Sequence, residues 1–414
     1  MATPMTTTQF VGDMSHCKSR VNVHERLQPD YFRREIDGIF RHAWLPVASV
    51  SDLDKPNAFV ATDVPPLDVS LLVMRGADGA VRAFHNACTH RGNRLAQPGT
   101  AGCKAALTCP FHGWSFATDG RLIGVTDKTQ FPELVQEEAG LIPVKCEVWQ
   151  DYVFVSFDPA AAPLKEWMGH LYDEYAGYFG DRQRLGSYSI RVNSNWNITT
   201  NAFTEGYHSA FLHKNSVPDY QGGKGNPMRH RPYLEVTPRH GRYSAKANPN
   251  HKMTPVEDLA YRYGRKLFPA FPPMSELGSL PKGVNPGSQE WWAFDVLELF
   301  PCTVVLMGAY WHATMWFWPI DADTTEIRIE YFGYKAKTVG DHLAHAYFRV
   351  RNREVFREDV GTMEACHQNL KAGAMREVIL SQQEMLIQNH YRVAADMTNA
   401  GGTKPVKMVA RSAA

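Results

Sequence analysis

Apolar and polar positions follow short alternating runs through the first third of the chain and change to helical spacing further on. Near the start, Tyr31, Phe32, Ile36, Ile39 and Phe40 recur at helical intervals with Pro29 in the first turn, which predicts one amphipathic helix over 29–44. Between Leu45 and Asp158 the runs 57–63, 69–75, 81–86, 114–118 and 152–157 alternate and are punctuated by Gly, Pro and Asp-Gly. That pattern reads as a small all-β domain. Beyond Ala160 the spacing predicts a helix at 164–179, a strand at 186–193, a helix at 195–211 and a long Gly/Pro-rich stretch at 218–286. Strands follow at 297–307, 312–319 and 326–334, then helices at 339–368 and 375–395. An antiparallel sheet flanked by helices, hence an α+β domain, accounts for this order. The chain divides on this reading into an N-terminal helical segment (1–44) packing on the second domain, the all-β domain (45–160), the α+β domain (161–396) and a flexible tail (397–414).

Composition supports a globular chain and removes several functions. Of 414 residues 44% are apolar and 21% charged, enough for a large core in two or three domains at roughly 150 residues each. A net charge of +1 without a block of Lys and Arg excludes nucleic acid as a partner. The most apolar stretch, 296–311, is interrupted by Glu298 and Pro301 and falls short of the ~20 apolar residues a spanning helix needs, so no membrane segment is expected. The N-terminal residues lack an apolar signal segment, and a cytoplasmic location follows as the default. Seven cysteines, sparse and odd in number, do not make a disulfide framework and have to be read as metal chemistry or as core.

The first candidate constellation lies in the all-β domain. Cys88-Thr-His90 and Cys109-Pro-Phe-His112-Gly-Trp are matched Cys/His pairs separated by eighteen residues, the arrangement two short loops need to hold one cofactor from two sides. Two thiolates on one iron and two neutral imidazoles on the other make a mixed-ligand [2Fe-2S] cluster, a one-electron relay of raised potential. A structural zinc held by Cys₂His₂ is the competing chemistry, and four unrelated core residues the bland one. The C-x-H and C-x-x-H pairs argue against zinc, and the Pro-x-His-Gly-Trp context resembles the Rieske iron–sulfur domain. Cys103, Cys146, Cys302 and Cys366 have no place in that pattern and are read as small buried residues.

The second constellation, Asn195-Trp-Asn-Ile-Thr-Thr-Asn201-Ala-Phe-Thr-Glu205-Gly-Tyr207-His208-Ser-Ala-Phe-Leu-His213, gathers a carboxylate and two imidazoles. Glu205 and His208 share a helical face, but His208 and His213 would diverge by about 140° on a regular helix. Both reach one metal only if the helix ends or loosens near Ala210. Two His and a carboxylate form the facial triad of a non-haem Fe(II) site, with open positions for O₂ and substrate; a pair of unrelated core or surface histidines is the alternative. The carboxylate can be Glu205 or can come from the helix 351–364, where Asp359 stands five residues before Glu364 and Glu358 is its rival.

With both motifs and a distal acid in this order, the chain resembles the catalytic α subunit of the Rieske non-haem iron ring-hydroxylating oxygenases over most of its length. The resemblance implies a Rieske cluster on Cys88, His90, Cys109 and His112, and mononuclear iron on His208, His213 and Asp359. Glu205 would bond His208 and bridge toward a Rieske histidine of a neighbouring subunit, with Asn201 as a second catalytic residue of the motif. The family usually has Asp at the bridging position, and some members acting on quaternary ammonium compounds carry Glu. The implied activity is that of a terminal oxygenase inserting one or both atoms of O₂ into a small aromatic substrate. Dealkylation of an amine, quaternary ammonium or methoxy compound is the alternative, and a bare Rieske electron carrier the different-class one. No dinucleotide motif is present, so electrons from NAD(P)H must come through a separate reductase, with or without a ferredoxin, docking at the exposed edge of His90 and His112. A homotrimer, with or without small β subunits, is the implied assembly. Pocket candidates are Phe203, Phe211, Leu306, Met307, Trp316 and Phe356. His342 and His345, lacking a third ligand, read as surface decoration, and the loop 221–226 as a turn at the entrance.

Overall fold

The computed structural model describes residues 9–180, 182–217, 226–227, 232–267 and 280–400. The chain forms two compact units, one of Ile39–Tyr172 and one of the described residues up to Gly38 and from Asp173 onward. Loop 221–225 and tail residues 401–414 lie outside the described residues.

In the Ile39–Tyr172 unit, a seven-stranded antiparallel sheet runs in the order Leu45–Ser49, Tyr152–Ser156, Pro143–Trp149, Val81–His85, Val69–Arg75, Ala58–Val64, Ala101–Cys103. A three-stranded sheet adds Leu122–Gly124, Ser115–Ala117 and Ala106–Thr108. Phe59, Leu72, Phe84, Leu107, Phe116 and Leu122 bury one core shared by these sheets, and Cys88 and Cys109 belong to it. The candidate cluster loops therefore rise directly from the packed interior rather than from free turns. Cys103 and Cys366 are exposed and Cys146 is half-buried, contrary to their reading as core; only Cys302 is buried.

The second unit is built on an eight-stranded sheet in the order Gln9–Val11, Tyr233–Val236, Gly241–Lys246, Trp292–Leu299, Thr303–Met307, Trp311–Pro319, Thr325–Tyr334, Arg182–Val192. All neighbours are antiparallel except the first pair, which is parallel. The Gly/Pro-rich reading of 218–286 therefore missed two strands and the helix Pro255–Tyr261, capped by Thr254 and Glu257. Their burial is continuous rather than alternating, which conceals the period of two. The expected strand 297–307 is two strands, Trp292–Leu299 and Thr303–Met307, turned at Phe300-Pro301.

Helices cover one face of this sheet. Val339–Lys371 starts at a capping box of Thr338 and Asp341 and buries His345, Phe348, Asn352, Phe356, Asp359 and Met363, spaced three and four apart along one face. His345 is thus core, its ring against Tyr334, while His342 is exposed. The last helix is Met385–Ala400, preceded by a short strand Glu377–Ile379 that pairs with Arg20–Asn22, so 375–395 is not one helix and helical structure continues past 397. The first helix also differs from expectation. Pro29–Glu35 passes into a π-helical turn, Ile36–Phe40, and stops before Trp44; 164–179 is broken at Gly169 into Leu164–Met168 and Leu171–Glu174. Among the described residues no helix is long and apolar enough to cross a membrane.

Candidate active site: two metal-ligating clusters

In the all-β unit the two loops repeat one backbone design. The Cys88 amide donates to the Asn93 carbonyl and the Gly92 amide to the Cys88 carbonyl; Cys109 and Trp114, then Gly113 and Cys109, pair the same way. Gly92 and Gly113 both have φ of +77°, a left-handed turn that glycine adopts without strain. The amides of His90 and Arg91 hydrogen-bond to the Cys88 sulfur, and those of Phe111 and His112 to Cys109. Burial pushes the Cys88 thiol up, whereas at Cys109 burial is outweighed by the two amides and the thiol lies below its usual range. Amides aimed at sulfur stabilise thiolates, which is what an iron–sulfur cluster requires.

The two imidazoles lie with ring centroids 4.6 Å apart. His90 stacks on Trp114 (4.8 Å, 11°) and meets Phe131 edge-on, and its buried Nδ1 has no hydrogen-bond partner. A buried nitrogen with no protein partner is what a metal ligand leaves behind. His112 is half-buried beside the exposed Phe111. Asn86 ties down the first loop by accepting from the Leu95 and Ala96 amides and donating to Ser70 and Ala96. Neither Phe131 nor Asn86 is part of a recognisable motif, since both act on the loop from outside it.

The second cluster depends on a helix that stops early. Asn195 caps Trp196–Ala202, and the chain leaves helical geometry at Phe203, where the Thr204 hydroxyl takes the Asn201 carbonyl. The Glu205 carboxylate then accepts the Tyr207 and His208 amides, replacing the helical bonds these would make. A single further turn, Ser209–Leu212, has His208 at its N-cap and His213 at its C-cap. The loosening the sequence required is thus present, but before His208 rather than near Ala210.

This brings the imidazole Nε2 atoms of His208 and His213 to 3.2 Å, with Asp359 Oδ1 at 3.5 Å from the first and 3.3 Å from the second. Among the described residues this is the one group of His, Cys, Asp or Glu with three such atoms mutually within 4.8 Å. His213 and Asp359 are buried. Glu205 is not in the trio; it bonds His208 through Nδ1. Glu358 also turns away from it, pairing with His213 Nδ1 at 2.8 Å and accepting from Ser216 Oγ at 2.7 Å. Each imidazole therefore has a carboxylate behind it and its Nε2 facing the common point, the arrangement that fixes tautomer and raises ligand basicity. At His208 burial opposes a positive charge, but Glu205, Asp359 and Glu384 outweigh it and push the group up to about 9. Asn201 is buried beside the Tyr391 phenol.

Register sorts the pocket candidates. Leu306 pairs with Ala313 and shares its face with Phe317, whose ring meets Phe203, itself against Phe356. Met307 and Trp316 point to the opposite face of the sheet, and Phe211 is 73% exposed, so these three do not line the cluster. Alternation settles faces only once the pairing partner is known.

Residues 179–400 match the family of ring hydroxylating alpha subunits (catalytic domain), and residues 43–138 match the Rieske [2Fe-2S] domain. The chain belongs to the ring-hydroxylating alpha-subunit family. This Rieske oxygenase is 24% identical to the carnitine monooxygenase oxygenase subunit of Acinetobacter baumannii over 370 residues, 87% of this chain and 88% of that one. It is 34% identical to the chloroplastic choline monooxygenase of Amaranthus tricolor over 195 residues, 45% and 43% of the two chains. A quaternary ammonium Rieske monooxygenase bound to L-carnitine shares the fold with a TM-score of 0.69 at 20% identity, over 91% of this chain and 94% of that one. Naphthalene 1,2-dioxygenase from Rhodococcus does so with a TM-score of 0.73 at 16% identity, over 92% and 94%. The Rieske oxygenase is an oxidoreductase that works with a [2Fe-2S] cluster, mononuclear non-haem iron and O₂.

Proposed function

We propose that this Rieske oxygenase oxidises an N-alkyl carbon of a small ammonium compound, the alternative considered from sequence, in preference to an aromatic ring. The observation that carries this reading is the charge at the iron cluster. Glu205, Asp359 and Glu384 act on His208, and Glu358 stands on His213. Asp359 at the common point, with Glu205 and Glu358 behind the imidazoles, sets three carboxylates around one divalent ion and leaves a negative site, suited to a cation. Phe203, packed on Phe317 and Phe356, lies in the segment leading to Glu205 and adds an aromatic wall of the kind that attracts quaternary nitrogen. The relatives named as carnitine and choline monooxygenases support the same substrate class.

In this reading Cys88, Cys109, His90 and His112 hold the cluster, and His208, His213 and Asp359 hold Fe(II). The bound centres supply single electrons and O₂ activation. The residues around them do the positioning. Glu205 and Glu358 orient the two imidazoles, and Glu205, on the outer side of His208, is the link toward a Rieske histidine of a neighbouring subunit. Oxidation of an N-methyl carbon with O₂, two electrons and two protons gives an N-hydroxymethyl compound and water. The hydroxymethyl compound then collapses to amine and aldehyde. Electrons come from NAD(P)H through a separate reductase, with or without a ferredoxin, and the assembly is a homotrimer.

The test is to reconstitute the oxygenase with iron and a reductase and to offer trimethylammonium compounds and small arenes in parallel. Ammonium-dependent O₂ uptake with one aldehyde released per O₂ is expected. A diol or phenol from the arenes, with the ammonium compounds inert, would contradict the reading.

A further inference from the structure

Strand register defines a row of side chains across the sheet. Tyr243 pairs with Val296, Val296 with Leu306, Leu306 with Ala313, and Ala313 with Tyr331. Directly paired residues project from the same face, so the five form one line, spanning roughly 19 Å at ~4.8 Å per strand. At one end Tyr331 stacks on Phe356 (6.2 Å, 12°), which lies one helical turn before Asp359. At the other, Tyr243 lies against Gly206, two residues before His208. The row thus extends between the elements that carry two of the three metal-ligating residues, with aliphatic Val296, Leu306 and Ala313 between two phenols.

The two phenols differ. Tyr331 is enclosed by the rings of Tyr188, Phe348 and Phe356, and its hydroxyl is fully buried without a hydrogen-bond partner, sealed from any ligand. Tyr243 is 8% exposed, and its hydroxyl lies beside Gly206. A methyl group on Gly206 would fall 2.3 Å from that oxygen, so glycine at 206 is what admits the hydroxyl to this place. Both oxygens of the adjacent Glu205 are already engaged, by the ring of His208 and by the amides of Tyr207 and His208. Burial and the nearby Glu205 push the phenol pKa upward, so the group remains a proton donor. A phenol beside the segment that carries a metal-ligating histidine is a donor that a ligand can meet.

We infer that Tyr243 contacts the substrate: its hydroxyl donates to an oxygen acceptor, a hydroxyl or carboxylate, carried a few bonds from the ammonium nitrogen, and so selects which alkyl group faces the iron. This inference rests on the ammonium reading. The test compares the iron-loaded wild type and Tyr243→Phe, with reductase, on three compounds of similar shape: 2-hydroxyethyl-, carboxymethyl- and ethyl-trimethylammonium. The wild type is expected to prefer the hydroxyl or the carboxylate compound to the ethyl one, and which of them it prefers identifies the acceptor. In Tyr243→Phe the KM for the preferred compound should rise about tenfold if the acceptor is a hydroxyl and more if it is a carboxylate, with kcat and the ethyl compound little changed. Equal losses on all three, with iron content and Rieske spectrum intact, would place Tyr243 on the electron path or in the scaffold and overturn the inference, as would no change at all. Failure of the wild type on all three compounds would instead overturn the ammonium reading itself.

Discussion

At the residue scale, Asp359 and Glu358 are neighbours with different tasks. Asp359 Oδ1 points at both imidazole Nε2 atoms, whereas Glu358 is behind His213. Asp359→Ala is expected to empty the mononuclear site and leave the Rieske spectrum unchanged, as measured by iron content and EPR. Glu358→Ala should keep the ligands but weaken iron binding by about 10 to 100-fold, the usual loss when a carboxylate behind a ligating histidine is removed, with partial recovery in Glu358→Asp. Iron retained in the first variant and lost from the second would reverse the assignments. The sequence placed both acids one position apart and offered the spacing to Glu364 as grounds for choosing. Side-chain direction on the helix is what separates them, and a single sequence does not contain it. Glu205 was legible as a partner of His208 from the i, i+3 relation, but not as the group that ends the helix by taking two backbone amides.

At the element scale, two features can be tested. Gly206 lies in the segment between Trp196–Ala202 and Ser209–Leu212, and Gly206→Ala would press on the Tyr243 hydroxyl. Activity should fall at least several-fold and recover in part in Gly206→Ala combined with Tyr243→Phe; strictly additive losses would show that the two residues do not meet. The second feature is the buried carboxyl of Glu35, which accepts from Trp196 Nε1 at 2.9 Å and Asn197 Nδ2 at 3.0 Å and so fastens Pro29–Glu35 to the helix leading into the iron cluster. Burial outweighs these two donors and pushes Glu35 up from 4.5 to about 7. A carboxyl whose folded pKa exceeds its unfolded one holds its proton more tightly when folded. Stability from this group is therefore full below about pH 4.5 and is lost as pH rises through about 7, by about 3 kcal/mol. Urea midpoints across pH 4 to 8 should show that loss in the wild type and not in Glu35→Gln, whatever the variant's absolute stability. A difference between the two that is flat across this window would remove Glu35 as its source. Alternating strands such as Val69–Arg75 were readable because one face is polar, while Tyr233–Val236 and Gly241–Lys246 were not, being buried throughout.

At the scale of the whole molecule, the chain holds two redox sites and no nucleotide-binding motif, so NAD(P)H should be inert toward the isolated protein and become an electron source only when a reductase is added. Stopped-flow reduction of the Rieske chromophore tests this directly; rapid bleaching by NAD(P)H alone would contradict it. Light scattering should give three chains per particle, and a fully active monomer would remove the proposed link through Glu205 between subunits. The two motifs were legible because metal chemistry fixes both residue type and spacing, as at Cys88-x-His90 and His208-x₄-His213. Substrate choice was not legible in the same way, because it depends on which residues of neighbouring strands share a face, as Tyr243 and Leu306 do and Leu306 and Met307 do not. The most direct measurement of the central claim is EPR with iron analysis on anaerobically reconstituted, chemically reduced protein. A reduced Rieske signal with about three irons per chain is the result expected of a two-iron cluster plus a mononuclear site. The same signal with about two irons would reduce the chain to an electron carrier, and bound zinc without the signal would contradict the account from Cys88 onward.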